Sequence, residues 1–294
     1  MQLRHGQAVA LMVLVTAMWS IAGVVTRQLE AARSFEVTFW RSLFTLLSLL
    51  VILPLWQGRG VWRRMPWRSR YFWLSGVCWS VMFTAFMVAL TLTAVANVLI
   101  TMAIGPLITA LFTRVVLRHP LPWRTWAAIV VAGCGIAWMY GSQLSVGAPN
   151  FVLGSMVALC VPIAGAVQWT LVQKSHAEGL DLDLVPSVMV GAAISTAFTL
   201  PLALPLQASA HDVGWLAMLG LFQLAIPCAL SVVCARVLKA PEVSLLALLE
   251  IVFGILLAWL GAHEAPQASV LAGGSLVLGA LVLNEWLGWR NKRV

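Results

Sequence analysis

Charge is scarce in this sequence: of 294 residues, 10% are Asp, Glu, Lys or Arg, against about a quarter in soluble domains. That shortage excludes a water-soluble globule. Histidine is sparse too, and all five copies (His5, His119, His176, His211, His263) fall in expected loops or at helix ends, which leaves a metal centre inside the protein without imidazole ligands. The five cysteines, Cys78, Cys134, Cys160, Cys228 and Cys234, form no Cys-x-x-Cys pair and lie within apolar runs, away from the exposed, oxidising loops of a disulfide framework. They read as small buried apolar residues. There is no Gly-rich phosphate loop, so direct use of ATP is not expected. No cofactor is expected either. No histidine, aspartate or lysine stands in the middle of an apolar run, so an intramembrane enzyme would lack its nucleophile with a base, its paired acids or its metal ligands. Rings of repeated charge or of carbonyl motifs, as at a channel filter, are missing as well.

What the chain has in abundance is apolar length, with 61% hydrophobic residues and a mean hydropathy of +0.94. A helix crosses roughly 30 Å of hydrocarbon with about 20 apolar residues. Ten such runs occur, with approximate limits 8–29, 36–56, 71–91, 95–116, 122–141, 151–173, 184–205, 213–235, 241–262 and 267–288. The expected fold is an all-α integral membrane protein of ten transmembrane helices, its short loops leaving no room for a soluble domain. The first run follows Arg4 and His5, but it is longer than a signal-peptide core and closes on no small-x-small cleavage site. It is read as a span. With a cytoplasmic N-terminus, 15 of the 18 Lys and Arg residues lie on the inner side, where basic loops are retained. Arg27 and Arg33 then fall at the first outer loop, Arg41 falls inside the second run, and both termini are cytoplasmic. The net charge of +8 is accounted for as a topology signal and a contact with anionic lipid. A nucleic-acid surface is not needed to explain it, so the bilayer is the expected macroscopic partner.

Sliding the chain against itself by 145 residues superposes its halves. "ANVLITMAIGPLITALFTRVVLRHPLPW" from Ala96 corresponds to "PEVSLLALLEIVFGILLAWLGAHEAPQA" from Pro241, and the Gly-rich stretches "VVAGCGIAW" and "AGGSLVLGAL" close each half. Residues 1–148 and 149–294 are therefore read as two five-helix repeats. Five is odd, so the second enters the membrane from the opposite side. Inverted repeats of this kind recur in secondary transporters, which place their substrate near the midplane between the halves.

With "MWSIAGVVTR" in the first run, "FWR" (Phe39, Trp40, Arg41) in the second and "GAHE" after the ninth, the sequence resembles the EamA family of the drug/metabolite transporter superfamily. Within that branch, the length and Trp-rich interior are most similar to YddG-type exporters of aromatic amino acids. The resemblance implies a multi-pass exporter of the bacterial cytoplasmic (inner) membrane, working as a monomer on a small molecule. It also implies a structural role for Arg41, pairing with a carboxylate or with backbone carbonyls at the outer end of its helix near Glu36, and not a substrate ligand. One departure stands out. Where the family often has Leu-Glu-Pro, this chain has Leu249, Glu250 and Ile251, and the proline is kept only in the first copy as Pro106, so an asymmetric kink is expected.

Polar side chains in hydrocarbon are costly unless they face other helices or a wet cavity, so they mark the transport path. Asn97 and Thr101 share one helical face, four residues apart, suited either to a substrate's head group or to interhelical hydrogen bonds. Ser20, Gln168, Gln223 and Ser244 are candidates of the same kind. Of 15 tryptophans, eleven near run ends or in basic loops read as an interfacial belt. Trp19, Trp79, Trp169 and Trp40 lie deeper, where a ring can stack on an aromatic substrate or pack the core. Phe83 and Phe86 extend an apolar wall beside Trp79, and Met82 adapts to varied shapes. Gly105, Pro106, Pro162 with Gly165, and Pro227 interrupt backbone bonding and are candidate hinges or static bends.

Glu250 is the single carboxyl near the centre of a run. It shares a stripe of small residues with Ala247, Gly254, Ala258 and Gly261, a close-approach pattern, so the carboxyl is expected to point at a neighbouring helix or a cavity. Two roles stand open: a hydrogen-bonded link between helices, or a group that meets a substrate amine or a coupling proton. The function expected is export of aromatic or other apolar amino acids and related small metabolites by alternating access. The alternatives are export of other metabolites or drugs and, at a distance, intramembrane catalysis.

Overall fold

The computed structural model describes residues 3–25, 28–32, 34–93, 95–117, 121–141, 150–180, 182–262 and 268–290, and no strand occurs among them. Helix occupies each of the expected apolar runs, as it must where no water is present to satisfy backbone N–H and C=O groups. The continuous helices are α3 (Ser34–Gln57), α5 (Arg70–Leu92), α8 (Trp123–Tyr140), α9 (Phe151–Ala177), α10 (Ser187–Ala203) and α15 (Ala268–Arg290). Four described helices are long and apolar enough to cross a membrane by themselves, over Phe35–Gln57, Arg70–Leu90, Phe151–Ala177 and Ala210–Cys234. A one-turn helix, α4 (Val61–Arg64), lies in the basic loop between α3 and α5.

The remaining runs are broken helices. The first holds α1 (His5–Trp19) and the short α2 (Ala22–Val25), parted by a turn at Ser20 and Ile21. The fourth holds α6 (Val95–Met102) and α7 (Gly105–Val116), and the ninth holds α13 (Ala240–Ala247) and α14 (Leu249–Ala262). Adding 145 to both bounds of α6 gives the bounds of α13. The asymmetric kink expected from the missing second proline is therefore not found. Proline is sufficient to interrupt a helix but not required. At Leu248 the chain tightens into three-residue bonds instead, Leu248 N–H to Leu245 at 3.2 Å and Ile251 N–H to Leu248 at 3.1 Å, as Ile104 N–H does onto Thr101 at 3.3 Å in the first copy.

The eighth run comprises α11 (Ala210–Met218), a π-helical segment (Leu219–Ala225) and α12 (Ile226–Cys234). Pro227, at the start of α12, has no N–H to return to the residue-223 carbonyl. The wider register takes up the mismatch, with Ile226 N–H reaching Leu221, five residues back. Pro162 behaves differently from its expected role as a break, because α9 runs through it as one helix. A long helix with good bonds on either side tolerates the single one that proline removes.

The helices pack in a pattern in which α5 lies against α9 and α10, α10 against α3, α7 against α9 and α13, α1 against α12, and α8 against α15. Close backbone approach fixes two of these contacts. A Cβ on Gly191 would stand 2.4 Å from Trp79 Cβ and 2.8 Å from the Gly76 carbonyl, and one on Gly220 would stand 2.5 Å from Phe44 Cβ and 3.0 Å from the Arg41 carbonyl. Only glycine lets α10 lie under Trp79 and lets the π segment lie against α3. The close approach expected at Gly254 is not found among the described residues, none of which stands within 4 Å of its would-be Cβ. The side chains of Ala258 and Gly261 lie outside the described residues. Cys78, Cys228 and Cys234 are buried, but Cys134 and Cys160 are exposed on the outside of the bundle, a difference from the reading of all five as interior.

Candidate functional site

Where α6 meets α7 and α13 meets α14, the two broken helices face each other across a cavity of about 160 Å³. Its polar border is Arg41, Gln223, Ser244 and Glu250, and its apolar walls carry five aromatic rings, those of Trp19, Trp79, Phe83, Phe86 and Trp169. Trp79 and Trp169 meet edge to face, ring centroids 5.8 Å apart, and Phe83 is tilted against Trp79 at 5.7 Å. Trp19, Phe86, Met82 and Met102 add to the apolar lining, with aliphatic side chains such as Leu224, Leu248 and Ile251, and Gly105, Pro106 and Pro162 line it too. A Cβ on Gly105 would be 3.4 Å from Pro162 and 3.6 Å from the Ser244 hydroxyl, so α7, α9 and α13 converge at the break.

Several polar atoms on this border are buried without a partner: Arg41 Nε, Trp79 Nε1 and Gln223 Oε1. Arg41 is 4% exposed. Its Nη1 donates to the Met87 thioether at 3.0 Å, a weak acceptor. Gln223, carried inward by the π segment, donates from Nε2 to the Trp19 carbonyl at 3.4 Å. Glu250 is half-buried and lines the same cavity as Arg41. No described residue donates a hydrogen bond to it.

The structure thus brings together Trp19, Trp79, Met82, Phe83, Phe86, Trp169, Gln223, Ser244, Glu250, Gly105, Pro106, Pro162 and Gly165 from the sequence-derived candidates. It takes others elsewhere. Ser20 donates to the Ala17 carbonyl at 2.7 Å, back onto its own helix. Gln168 precedes Trp169 by one residue, which on a helix turns it about 100° away, toward α5 and α10. There Ser75 Oγ donates to Gln168 Oε1 at 2.7 Å and lies 2.6 Å from Ser187 Oγ, which donates to the Leu184 carbonyl at 2.7 Å. Two hydroxyl protons cannot serve three contacts. With the amide turned end for end, Gln168 Nε2, otherwise unpartnered, donates to Ser75, Ser75 to Ser187 and Ser187 to Leu184. Thr101 is half-buried and does not line the cavity, and neither does Pro227 in α12. The Asn97 side chain lies outside the described residues.

Arg41 is the main correction. It was expected at the outer end of its helix, paired with a carboxylate or carbonyls. Instead it stands two turns inside α3 on the cavity wall. Its position inside an apolar run was a usable signal, because an arginine in hydrocarbon is expensive unless it serves a cavity. Glu36 does the capping work: its Oε1 accepts from Gln207 N–H at 2.9 Å and Ala208 N–H at 2.7 Å, and from Trp40 Nε1 at 3.3 Å. Trp40 stacks on Phe44 and is no part of the cavity. Asp212, fully buried, returns the arrangement by accepting the N–H groups of Glu30, Ala31 and Ala32 at 2.9, 2.9 and 3.0 Å. Two carboxylates thus staple loops across the same end of the molecule. Sequence reasoning missed Asp212, which looks like a loop residue at the start of a run.

Residues 6–141 match the EamA-like transporter family. This part of the chain is similar to an EamA-like transporter domain. No curated protein matches the sequence significantly. A solved crystal structure of a protein, 18% identical over 97% of this chain and 98% of its own, superposes with a TM-score of 0.79. At that identity the likeness speaks for the fold alone, shared over nearly the whole of both chains. The family match and the four described helices long and apolar enough to cross a membrane are consistent with a multi-pass membrane protein.

Proposed function

We propose that this protein is a secondary transporter that exports aromatic or other apolar amino acids and related small metabolites across the bacterial cytoplasmic membrane by alternating access. The observation that carries the reading is the ring-walled cavity between two broken helices, with Arg41 and Glu250 on its border. Aromatic walls favour an aromatic ring, and discontinuous helices at a central site are a recurrent transporter design. Residues 1–148 and 149–294 act as two five-helix halves, a reading supported by the 145-residue offset between α6 and α13. Their rocking moves the cavity's opening from one side to the other, with flexing at Gly105, Pro106, Pro162 and Pro227. Ten spans, cytoplasmic termini and a monomeric unit complete the proposal, which rests there on the apolar runs and the Lys and Arg pattern. Glu250 is the one carboxyl among the residues lining the cavity, and no histidine joins it, which favours transport over catalysis.

The test is uptake by purified protein in liposomes, using labelled phenylalanine and tryptophan beside leucine, with and without an imposed pH gradient. Protein-dependent movement of the aromatic amino acids is expected. No movement of any amino acid, with movement of an unrelated apolar metabolite or drug, would replace the substrate assignment by the broader exporter reading, which the adaptable Met82 and Met102 walls would suit.

A further inference from the structure

Among the described residues no salt bridge or hydrogen bond joins Arg41 to Glu250, yet both border one small space. Arg41 is almost wholly buried with Nε unpartnered and a thioether as the acceptor for Nη1. A buried guanidinium without an anion is strongly disfavoured, so its free donor marks a place for an acceptor brought from outside. Gln223, 5% exposed, presents the converse: an unpartnered acceptor, Oε1, on the same border. Glu250 adds a second acceptor and the opposite charge. A lone anion would leave Glu250 uncompensated, a lone cation would leave Arg41 so, and a neutral apolar molecule would satisfy neither. A zwitterion satisfies both.

We infer that this border is a head-group clamp for an α-amino acid, in which Arg41 receives the carboxylate while Glu250 and Gln223 Oε1 receive the ammonium group, the side chain lying among Trp79, Phe83 and Trp169. The inference rests on the transporter reading above and names its substrate chemistry. The volume fits the apolar part: cavities of about 150 Å³ hold one benzene, so the 160 Å³ here takes one ring or a branched aliphatic group, with the head group among the polar atoms at the edge. The two ends are read by different residues, so each can be lost separately.

The experiment is competition against labelled phenylalanine bound to full-length protein in nanodiscs, using three unlabelled ligands: phenylalanine, 3-phenylpropionate, which lacks the ammonium group, and 2-phenylethylamine, which lacks the carboxylate. On the wild type, each truncated ligand should compete more than about tenfold more weakly than phenylalanine, the loss of one charged hydrogen-bonded end. Arg41→Gln should weaken phenylalanine and phenylpropionate while leaving phenylethylamine unchanged. Glu250→Gln should weaken phenylalanine and phenylethylamine while sparing phenylpropionate. Arg41→Lys, which keeps the charge, serves as a second variant and should fall between wild type and Arg41→Gln. Equal weakening of all three ligands by both charge-removing variants, or truncated ligands that bind the wild type as well as phenylalanine does, would overturn the clamp, and liposome transport of phenylalanine would still uphold the exporter reading. If no aromatic ligand binds, the same crossed pattern measured with leucine, 4-methylpentanoate and 3-methylbutylamine would uphold the clamp and remove the aromatic assignment. Its absence there too would remove both.

Discussion

Replacing Asp212 by Asn tests the loop staple with almost no change in shape. The carboxylate is fully buried and accepts three backbone N–H groups at 2.9 to 3.0 Å, from a loop some 180 residues away in sequence. Asn keeps one acceptor oxygen and turns an NH₂ toward N–H groups that need an acceptor. Hydrogen bonds to charged groups contribute about 1.5–3 kcal/mol each. Losing the charge and at least one full bond, with relief from water once the loop lifts away, should therefore cost about 2–4 kcal/mol. The assay is thermal unfolding in detergent followed by tryptophan fluorescence, with Asp183→Asn as control. Asp183 carries the same charge and pairs with Arg236 at 2.6 Å, but both partners are about one-third exposed, so its loss should cost less than about 1 kcal/mol. Equal melting shifts for the two variants would refute the idea that Asp212 holds the loop.

The existence and placement of the helices could be read from the sequence because a bilayer leaves the backbone few options: any apolar run of span length must be helical. The aromatic half of the site was legible for a similar reason, since Trp79, Phe83 and Trp169 stand deep in runs where an indole or phenyl ring needs a wall or a ligand. The polar half was legible in part: Gln223, Ser244 and Glu250 were candidates and border the cavity, whereas Gln168 and Arg41 were read wrongly. One residue separates Gln168, which links α5 to α10, from Trp169, which lines the cavity, and only the rotation of α9 decides between them. Gln223 reaches the cavity through the π register imposed near Pro227, a shift of phase that no 3.6-residue pattern carries. Arg41 was misplaced because a motif near a run's beginning suggested its end, whereas depth along the helix determines what the side chain meets. Asp212 went unnoticed because its partners are backbone groups, which leave no mark in a side-chain pattern.

Gly191→Val drives a Cβ into Trp79 and the Gly76 carbonyl. It should destabilise by about 1–3 kcal/mol and lower phenylalanine transport more than leucine transport, read by melting and by liposome uptake. Ser75→Ala breaks the chain from Gln168 to Ser187 in a buried site and should cost about 1–3 kcal/mol while leaving the pattern of ligand competition unaltered. If Glu250 relays a proton, Glu250→Gln should abolish the response of transport to an imposed pH gradient. Transport by that variant with wild-type gradient dependence would leave the residue no coupling role.

The most direct test of the account is uptake of labelled phenylalanine into liposomes by the wild-type protein and by Arg41→Gln, measured beside leucine and an unrelated apolar drug. The account predicts protein-dependent uptake of phenylalanine exceeding that of the drug, and at least about a tenfold loss of it in the variant. Uptake of the drug alone, or phenylalanine uptake undiminished in Arg41→Gln, would contradict it.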